Sequence, residues 1–345
     1  MPVSWPKVDQ SGDRAQVPSI AEQHPVLSGR TLALVEKASV TAARAATVSP
    51  TFGAIEAIAS SGIEGIHART DSVFAVPVSG QWHGCAGLIA ANRSALQAGN
   101  DPLLVHHELL HRSRPEIAGK LRTRQVYIGT AVRVDYVPPA ASEVAEHMAD
   151  LAAFNRRTDM WTIVKAAISH AQFETIHPFL DGNGRTGRAL VGDLLRAGGI
   201  TAGVLPVSVR LQARRDEYVR ALTAYRRGDT ELIVTVLANA VLDAAAVTVR
   251  LERDLDGVWR QWKRTLRGAR ADSGALPLAE SLLSMPVCSA QTARDVLSAD
   301  NVHRHIATLV RWGILVEHTS GQARNRVWKA PDVLRTVASA APFPA

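Results

Sequence analysis

Residues 177–188 bring several chemically active side chains close together in the sequence: His-Pro-Phe-Leu-Asp-Gly-Asn-Gly-Arg-Thr-Gly-Arg. The two glycines of the turn at 182–184 allow positive φ, so several backbone N–H groups can converge on an anion. A helix starting near Arg185 would point its positive end at the same place. Arg185 and Arg188 are three residues apart and could both bind phosphate oxygens.

His177 and Asp181 precede that turn. An imidazole titrates near neutrality and can take a proton from a hydroxyl group, while a carboxylate suits Mg²⁺ that also binds phosphates. Phe179 is expected to point away and to anchor the loop in the core. A base, a metal ligand, an anion cradle and cations together predict in-line phosphoryl or nucleotidyl transfer. The structural alternative is a Gly-rich helix–loop–helix with a capping aspartate and a hydrogen-bonded histidine.

The segment resembles the signature of the Fic (filamentation induced by cAMP) family, His-Pro-Phe-x-Asp-Gly-Asn-Gly-Arg-x-x-Arg, at every specified position. The resemblance implies a protein adenylyltransferase that moves AMP from ATP to a Ser, Thr or Tyr hydroxyl of a target protein or of itself. It implies His177 as general base and Asp181 as Mg²⁺ ligand. Relatives that phosphorylate have a different loop, so AMP transfer is favoured while nucleotide choice stays open. The implied phosphate- and nucleotide-binding residues are Gly182, Asn183, Gly184, Arg185, Thr186, Gly187 and Arg188.

Residues 124–137 are rich in β-branched and aromatic side chains around a central glycine and predict a short hairpin. It resembles the family's flap, which lies over the nucleotide and pairs edge-on with the target segment. An ordinary hairpin that packs on helices is the alternative. Tyr218 lies in a stretch similar to the one that lines the family's adenine pocket, although Val219 stands where a second aromatic residue is common. The flap residues implied to contact the nucleotide are Val126, Tyr127, Ile128 and Gly129.

Residues 60–65, Ser-Ser-Gly-Ile-Glu-Gly, match the family's inhibitory pattern Ser/Thr-x-x-x-Glu-Gly/Asn, with Ser60, Glu64 and Gly65 at its specified positions. On a helix, the side chains of residues 60 and 64 share one face. The resemblance implies that Glu64 pairs with Arg188 and leaves ATP in an unproductive pose, as in the class with an N-terminal inhibitory helix. The alternative is a capping box made by Ser61 and Glu64.

A second motif, His107-Glu108-Leu-Leu-His111, spells H-E-x-x-H. On a helix it places two histidines on one face for Zn²⁺, with Glu108 as a general base. Glu143 and His147 are candidate third ligands, but nothing in the spacing singles them out. A zinc hydrolase is therefore an alternative function. It is disfavoured because the Fic resemblance extends over about residues 103–245 and treats this motif as part of a supporting helix.

Residues 286–330 resemble a winged helix-turn-helix. Ser289 is expected to cap a helix through Leu297, a second helix should cover 302–312, and a hairpin should follow over 314–329. The stretch holds six Lys and Arg against three Asp and Glu. DNA binding through 289–329 and a packing or dimerisation role both stay open, as does a DNA-binding regulator whose Fic domain acts on itself or on a partner. The residues that could meet phosphates are His303, Arg304, Arg311, Arg324 and Arg326.

The whole chain predicts a mainly α protein, with a Fic helical fold, a β-hairpin flap and a winged-helix domain. Its 345 residues are too many for one ordinary core. The expected parts are a flexible arm (1–28), an N-terminal helical region with the inhibitory motif (29–115), the Fic catalytic core (116–250), a connecting helix and linker (251–276) and the winged helix-turn-helix domain (277–345).

Composition sets the expected surroundings. A net charge of +7 and a sequence pI near 9.8 favour polyanionic partners without identifying one. Cys85 and Cys288 provide no disulfide framework, and the N-terminus has no apolar signal region, so we expect a cytoplasmic protein. The apolar stretch 232–249 is broken by polar residues at helical spacing, which favours a buried helix over a membrane span. The sequence leaves a homodimer open.

Overall fold

A computed structural model describes residues 17–45, 49–129, 134–268, 274–318 and 326–340. The helices are α1 (Gly29–Arg44), α2 (Pro50–Ile63), α3 (Thr70–Ser79), α4 (Gly84–Ala95), α5 (Pro102–Leu110), α6 (Val144–Asn155), α7 (Thr162–Ile176), α8 (Asn183–Ala197), α9 (Ser208–Ala213), α10 (Arg215–Tyr225), α11 (Glu231–Thr265), α12 (Ala275–Ser281), α13 (Ala290–Leu297), α14 (His303–Arg311) and α15 (Pro331–Ala340). The strands are β1 (Ile128–Gly129), β2 (Val134–Tyr136), β3 (Val287–Ser289), β4 (Val316–His318) and β5 (Val327–Lys329). The protein is mainly helical with few strands, as the sequence predicts.

The chain divides into two compact units that do not follow chain order. The first unit combines residues 1–43, 94–200 and 213–242. The second unit combines residues 44–93, 201–212 and 243–345. This division differs from the boundaries expected from the sequence, because α2 and α3 pack with elements that lie far along the chain.

The first unit is built around α7 and α8. Every residue of α7 from Ile163 to Ile176 is buried except Lys165, so this helix is enclosed on all sides. Gly182 adopts the left-handed conformation (φ 78°) just before α8, and Gly198 follows its last residue. The start of α8 agrees with the helix start expected near Arg185.

The expected hairpin over 124–137 is confirmed. Strands β1 and β2 are antiparallel, with Ile128 opposite Tyr136 and Gly129 opposite Val134. The register shifts between these pairs, which marks a bulge in β2. Its tip, residues 130–133, lies outside the described residues.

The flexible arm expected over 1–28 needs correction for its second half. Ile20 is only 2% exposed, and its N–H donates to Asp150 Oδ2 at 2.7 Å. Gln172 donates from Nε2 to the Pro18 carbonyl at 2.7 Å. Residues 17–23 are therefore held against the first unit by backbone contacts that composition does not reveal. Residues 1–16 lie outside the described part of the chain.

The second unit contains a three-stranded antiparallel sheet in the order β3-β5-β4. Ser289 caps α13 as expected, with its Oγ accepting from the Thr292 N–H, and α14 covers most of the expected 302–312 helix. The strand β3 was not expected from the sequence. Helix α3 packs on β3 and β5, and α15 packs on α2 and α3, which places residues 44–93 with the C-terminal elements. The winged-helix assignment itself stays a prediction.

Among the described helices, only α11 is long and apolar enough to pass a length and composition test for a membrane span. Its apolar side chains Ile233, Val234, Leu237 and Val241 are 0–3% exposed, as in a core helix. The buried helix expected at 232–249 agrees with this placement.

Asp71, near the start of α3, is held by two cations of the second unit. Lys329 Nζ lies 2.9 Å from Asp71 Oδ2, and Arg69 donates to both carboxylate oxygens at 3.1 and 2.9 Å. Asp71 is 8% exposed, so burial by itself raises its pKa. The hydrogen bonds from Arg69 and Lys329 outweigh this and lower the pKa of Asp71 to about 2.

We therefore expect Asp71→Asn to destabilise the second unit at pH 7 and to matter less in acid. The lowered pKa means that the ionised carboxylate stabilises the fold above the ordinary aspartate pKa, and that this stability is lost as pH falls from near 4 towards 2. Urea unfolding followed by tryptophan fluorescence at several pH values measures the difference from wild type. Asp256→Asn is the control, since it removes only an exposed pair with Arg260. A difference that stays constant between pH 6 and pH 3 would contradict this account.

Candidate functional site

His177 ends α7 in a left-handed backbone conformation, with φ 50° and ψ 62°. Only Ser298 shares a positive φ among the described non-glycine residues. Such conformations cost about 1 kcal/mol or more and cluster at functional sites. The imidazole is 21% exposed, with its buried Nδ1 4.0 Å from Glu174 Oε2.

Arg122 holds this turn in place and was not singled out from the sequence. Its Nε donates to the His177 carbonyl at 2.9 Å, and its Nη2 donates to the Ile176 carbonyl at 3.4 Å. The same guanidinium donates to the carbonyls of Pro139 at 2.6 Å and Arg124 at 3.3 Å, on the two sides of the hairpin. Arg122 is 2% exposed, and burial lowers its pKa. One buried cation therefore joins the histidine turn to both ends of the hairpin.

The loop between α7 and α8 is closed by Asn183. Its Oδ1 accepts from the Phe179 N–H at 2.8 Å, and its Nδ2 donates to the Phe179 carbonyl at 2.9 Å. Phe179 is fully buried, as expected, and stacks on His106 with ring centroids 3.7 Å apart. A Cβ on Gly182 would lie 3.1 Å from Leu109 Cδ2, a tight contact that adds to the preference for glycine set by the left-handed φ. The Asn183 side chain therefore shapes the loop.

His106 links α5 to the same loop and was also missed by the sequence reasoning. Its Nδ1 accepts from the Gly119 N–H at 3.0 Å, so its Nε2 carries the proton and donates to the Asp181 carbonyl at 3.0 Å. Burial lowers the pKa of His106 to about 4, which keeps the ring neutral near pH 7. This neutral tautomer fixes the backbone at the position of the candidate metal ligand.

The Asp181 carboxylate faces solvent and is 41% exposed. Its Oδ1 accepts from the Gly182 N–H at 2.6 Å and lies 3.7 Å from Arg185 Nη2. Its Oδ2 accepts from Arg114 Nη1 at 3.2 Å, a partner that the motif does not include. An exposed carboxylate suits Mg²⁺, which is usually bound by one or two carboxylates together with substrate phosphates. The neighbouring guanidinium groups and the helix start suit the phosphates rather than the metal.

The first turn of α8 follows Asp181 closely in the chain. The Thr186 N–H bonds to the Gly182 carbonyl at 3.0 Å, which marks the start of the helix, the end at which a helix directs its first N–H groups outward. Thr186 is fully buried, and a Cβ on Gly187 would lie 2.8 Å from Glu174 Oε1. Thr186 and Gly187 therefore occupy helix-packing positions, and their role as nucleotide ligands stays a prediction.

Arg185 and Arg188 are 5% and 2% exposed. Their charges therefore lie inside the first unit rather than on its surface. Burial and the charge of Arg188 lower the pKa of His170 to about 3. His170 Nε2 and Tyr218 Oη share a hydrogen bond of 2.6 Å, and Tyr218 is 3% exposed. Tyr218 thus has a buried partner, and its contact with adenine stays a prediction.

The hairpin is fastened to α7 by a second contact. Tyr136 Oη donates to the Thr175 carbonyl at 2.8 Å, and the Arg226 guanidinium carbon lies 3.8 Å above the Tyr136 ring. Arg226 Nη2 also donates to the Glu174 carbonyl at 3.4 Å. The predicted flap residues Val126, Tyr127, Ile128 and Gly129 are all partly exposed beside this anchor.

The inhibitory motif lies at the C-terminal end of α2. Ser60 is 1% exposed inside the helix, whereas Glu64 follows its last residue and Gly65 is left-handed with φ 73°. The capping-box alternative for Ser61 and Glu64 is therefore wrong, because a capping box starts a helix and this segment ends one. Pairing of Glu64 with Arg188 stays a prediction.

The H-E-x-x-H residues come together on the last turn of α5, with candidate ligand atoms of His107, Glu108 and His111 all within 4.8 Å of one another. Glu143 is not part of this group; its side chain accepts from the Ala140 N–H at 2.8 Å, at the 3-10 turn (Ala141–Glu143) that precedes α6. His147 is likewise not in it. The zinc hydrolase alternative thus lacks the third ligands weighed from the sequence.

Basic side chains of the second unit are exposed along α14, namely His303, Arg304 and Arg311. Arg326 is exposed and lies 3.6 Å from Glu317, while Arg324 falls outside the described residues. DNA contact by this surface stays a prediction.

The candidate site lies in a part of the chain that is similar to known proteins. A family model described as Fic/DOC family matches residues 100–195. Two relatives are each 34% identical: protein adenylyltransferase fic-1 of Caenorhabditis briggsae over 143 residues, and protein adenylyltransferase Fic of Nematostella vectensis over 150 residues. Each match covers 41% of this chain, but the chain spans only 26% and 31% of their own lengths.

A solved structure gives the same fold. The crystal structure of a Fic family protein from Desulfovibrio desulfuricans G20 matches 89% of this chain and 97% of its own, with a TM-score of 0.58 and 20% identity. The histidine turn, the closed loop and the helix start all lie within the matched family region. Residues 100–195 therefore match the Fic/DOC family, and the fold of the chain resembles that of a solved Fic family protein.

Proposed function

We propose that this protein transfers AMP from ATP to a hydroxyl group of a protein. One observation carries the proposal: the His177 turn is fixed by Arg122 beside the Asp181 carboxylate and the first turn of α8. The names of the relatives support AMP as the transferred group. A base beside a phosphate cradle is what in-line nucleotidyl transfer requires.

The residues around α8 would hold the nucleotide. Donors to phosphate oxygens would come from the first N–H groups of α8, and the helix dipole favours negative charge at that end. Arg185 and Arg188 bring positive charge to the same turn. Asp181 would hold Mg²⁺, which supplies positive charge against the phosphate oxygens. In this arrangement the chain binds the triphosphate with backbone donors and cations and leaves His177 for the hydroxyl.

The transfer forms one bond and breaks one. The target hydroxyl oxygen attacks the α-phosphorus of ATP, the bond to the bridging oxygen of the β-phosphate breaks, and pyrophosphate leaves. Nε2 of His177 takes the hydroxyl proton, since its Nδ1 is buried on the Glu174 side. The product is an AMP group joined to the target by a phosphodiester bond.

The hairpin would position the target. Within the described residues β1 pairs with β2 alone, so the outer edge of a two-stranded ribbon is available to an extended segment. Backbone pairing aligns a segment without reading most of its side chains. Because Arg122 and Tyr136 tie this ribbon to the end of α7, an aligned hydroxyl would be placed relative to His177.

Glu64 is proposed to inhibit this reaction by pairing with Arg188. Glu64→Gly is then expected to raise self-modification by about tenfold or more, since it removes a charge-assisted hydrogen bond that holds a phosphate-binding cation. Incorporation of label from α-³²P-ATP, with the added mass measured on the intact protein, gives the readout. Glu64→Gln should act in the same direction, and Glu280→Gln is the control. Equal labelling of wild type and Glu64→Gly would reject inhibition but leave AMP transfer standing.

The base is tested in the Glu64→Gly background. His177→Ala should lower kcat about a hundredfold or more, because general base catalysis contributes factors of that size. His83→Ala, which changes an exposed histidine of the second unit, should leave kcat unchanged. Labelling that survives His177→Ala at full rate would remove His177 from the reaction.

Arg122 is tested as a positioning residue in the same background. Arg122→Lys keeps the charge but cannot reach all four carbonyls, so we expect kcat to fall about tenfold or more with little change in KM for ATP. The carbonyls left unsatisfied should also destabilise the first unit by about 2 kcal/mol. Steady-state kinetics and thermal unfolding measure the two effects, with the exposed Arg156→Lys as control. A fall in stability with kcat unchanged would limit Arg122 to a structural role.

A further inference from the structure

The last turn of α5 presents a cluster that the proposed reaction does not use. His107, Glu108 and His111 occupy positions i, i+1 and i+4, and their candidate ligand atoms lie within 4.8 Å of one another. The two imidazole rings are nearly parallel, with centroids 5.1 Å apart and planes inclined by 9°. His107 is exposed and the other two are partly exposed, so an ion in solution can reach them.

The tautomer of His111 is set by its surroundings. Its Nδ1 lies 3.1 Å from the His107 carbonyl oxygen, and a carbonyl can only accept, so Nδ1 carries the proton. The lone pair of the neutral ring is then on Nε2. A metal-ligating histidine commonly donates its other N–H to a carbonyl, which orients the ring and makes it a better ligand.

The backbone at Gly119 packs closely against the helical turn that carries the cluster. The Gly119 backbone approaches so closely that a Cβ there would lie 3.2 Å from His107 Cβ and 3.2 Å from the Leu103 carbonyl oxygen. The preceding residue, His106, is buried and bonds to Gly119 and to the Asp181 carbonyl. The two neighbouring histidines therefore differ: His106 is buried and holds the loop, while His107 is exposed on a helical turn that packs against Gly119.

The donor set selects the kind of metal. Two imidazoles and one carboxylate suit Zn²⁺ and similar divalent transition ions, whereas Mg²⁺ prefers oxygen ligands. We propose that His107, Glu108 and His111 form a surface site for a divalent transition metal such as Zn²⁺, chemically distinct from the Mg²⁺ ligand Asp181. Three protein ligands leave the fourth tetrahedral position to water. The site does not depend on the proposed AMP transfer.

The test uses the full chain, stripped with chelator and carrying Cys85→Ser so that the exposed thiol does not bind zinc. Calorimetric titration with ZnCl₂ in millimolar MgCl₂ should show one saturable site per chain. His111→Asn and His107→Asn should each weaken Zn²⁺ binding by about tenfold or more. His67→Asn, at an exposed histidine outside the cluster, should leave the isotherm unchanged.

A second readout keeps the proposal falsifiable if a variant folds poorly. Co²⁺ added to the stripped parent protein should give the visible absorption of a low-coordinate nitrogen and oxygen site, and Zn²⁺ should displace it. Thermal unfolding without metal shows whether each variant is folded. Absence of stoichiometric Zn²⁺ binding in the parent protein, or the same isotherm in a folded His111→Asn variant, would overturn the proposal.

Discussion

The C-terminal end of α7 is unfavourable for two reasons, and a single guanidinium group offsets them. Helix C-termini leave carbonyl groups without intrahelical donors, and a non-glycine residue in the left-handed region adds strain. Arg122 donates to the carbonyls of Ile176 and His177 from a position that is 2% exposed. Its positive charge also suits the negative end of the helix dipole. The position of the imidazole therefore depends on a residue 55 positions earlier in the chain.

The Arg122 guanidinium group also connects the hairpin to the histidine turn, because it donates to carbonyl groups of both. Contacts to Arg124 and Pro139 fix both strands of the ribbon at their base, and Tyr136 adds a third point on α7. A movement of the ribbon base would disturb the helix end, and the reverse also holds. In the proposed reaction, the ribbon aligns the target hydroxyl and the histidine turn holds the base. The contacts between these two elements would keep the hydroxyl and the imidazole aligned to within small displacements.

Local signals explain what the sequence predicted well. The glycines around 182–184 and the β-branched and aromatic side chains of 124–137 each act within a few residues, so the loop, the start of α8 and the ribbon were predicted correctly. Ser289 likewise identified the start of α13 because a cap bonds three residues away. Element boundaries moved by one or two residues, which is where helix ends fray.

Contacts between distant parts of the chain explain what was missed. His106 and Arg114 meet Asp181 across 75 and 67 residues, and no spacing rule connects them to the motif. Grouping α3 with strands β3 and β5 depends on packing that only the folded chain reveals. Residues 17–23 were predicted to be part of a flexible arm because their composition is polar. Composition does not reveal that the distant Asp150 carboxylate holds their backbone.

The amide of Asn183 has a consequence for how tightly a ligand can be held. By bonding to both the N–H and the carbonyl of Phe179, it closes the loop into a ring using only the protein's own atoms. The conformational entropy of the loop is therefore lost when the chain folds, and not when a small molecule binds. In the proposed reaction, an incoming phosphate group would meet a loop that already has its final form, so more of the intrinsic contact energy would appear as affinity.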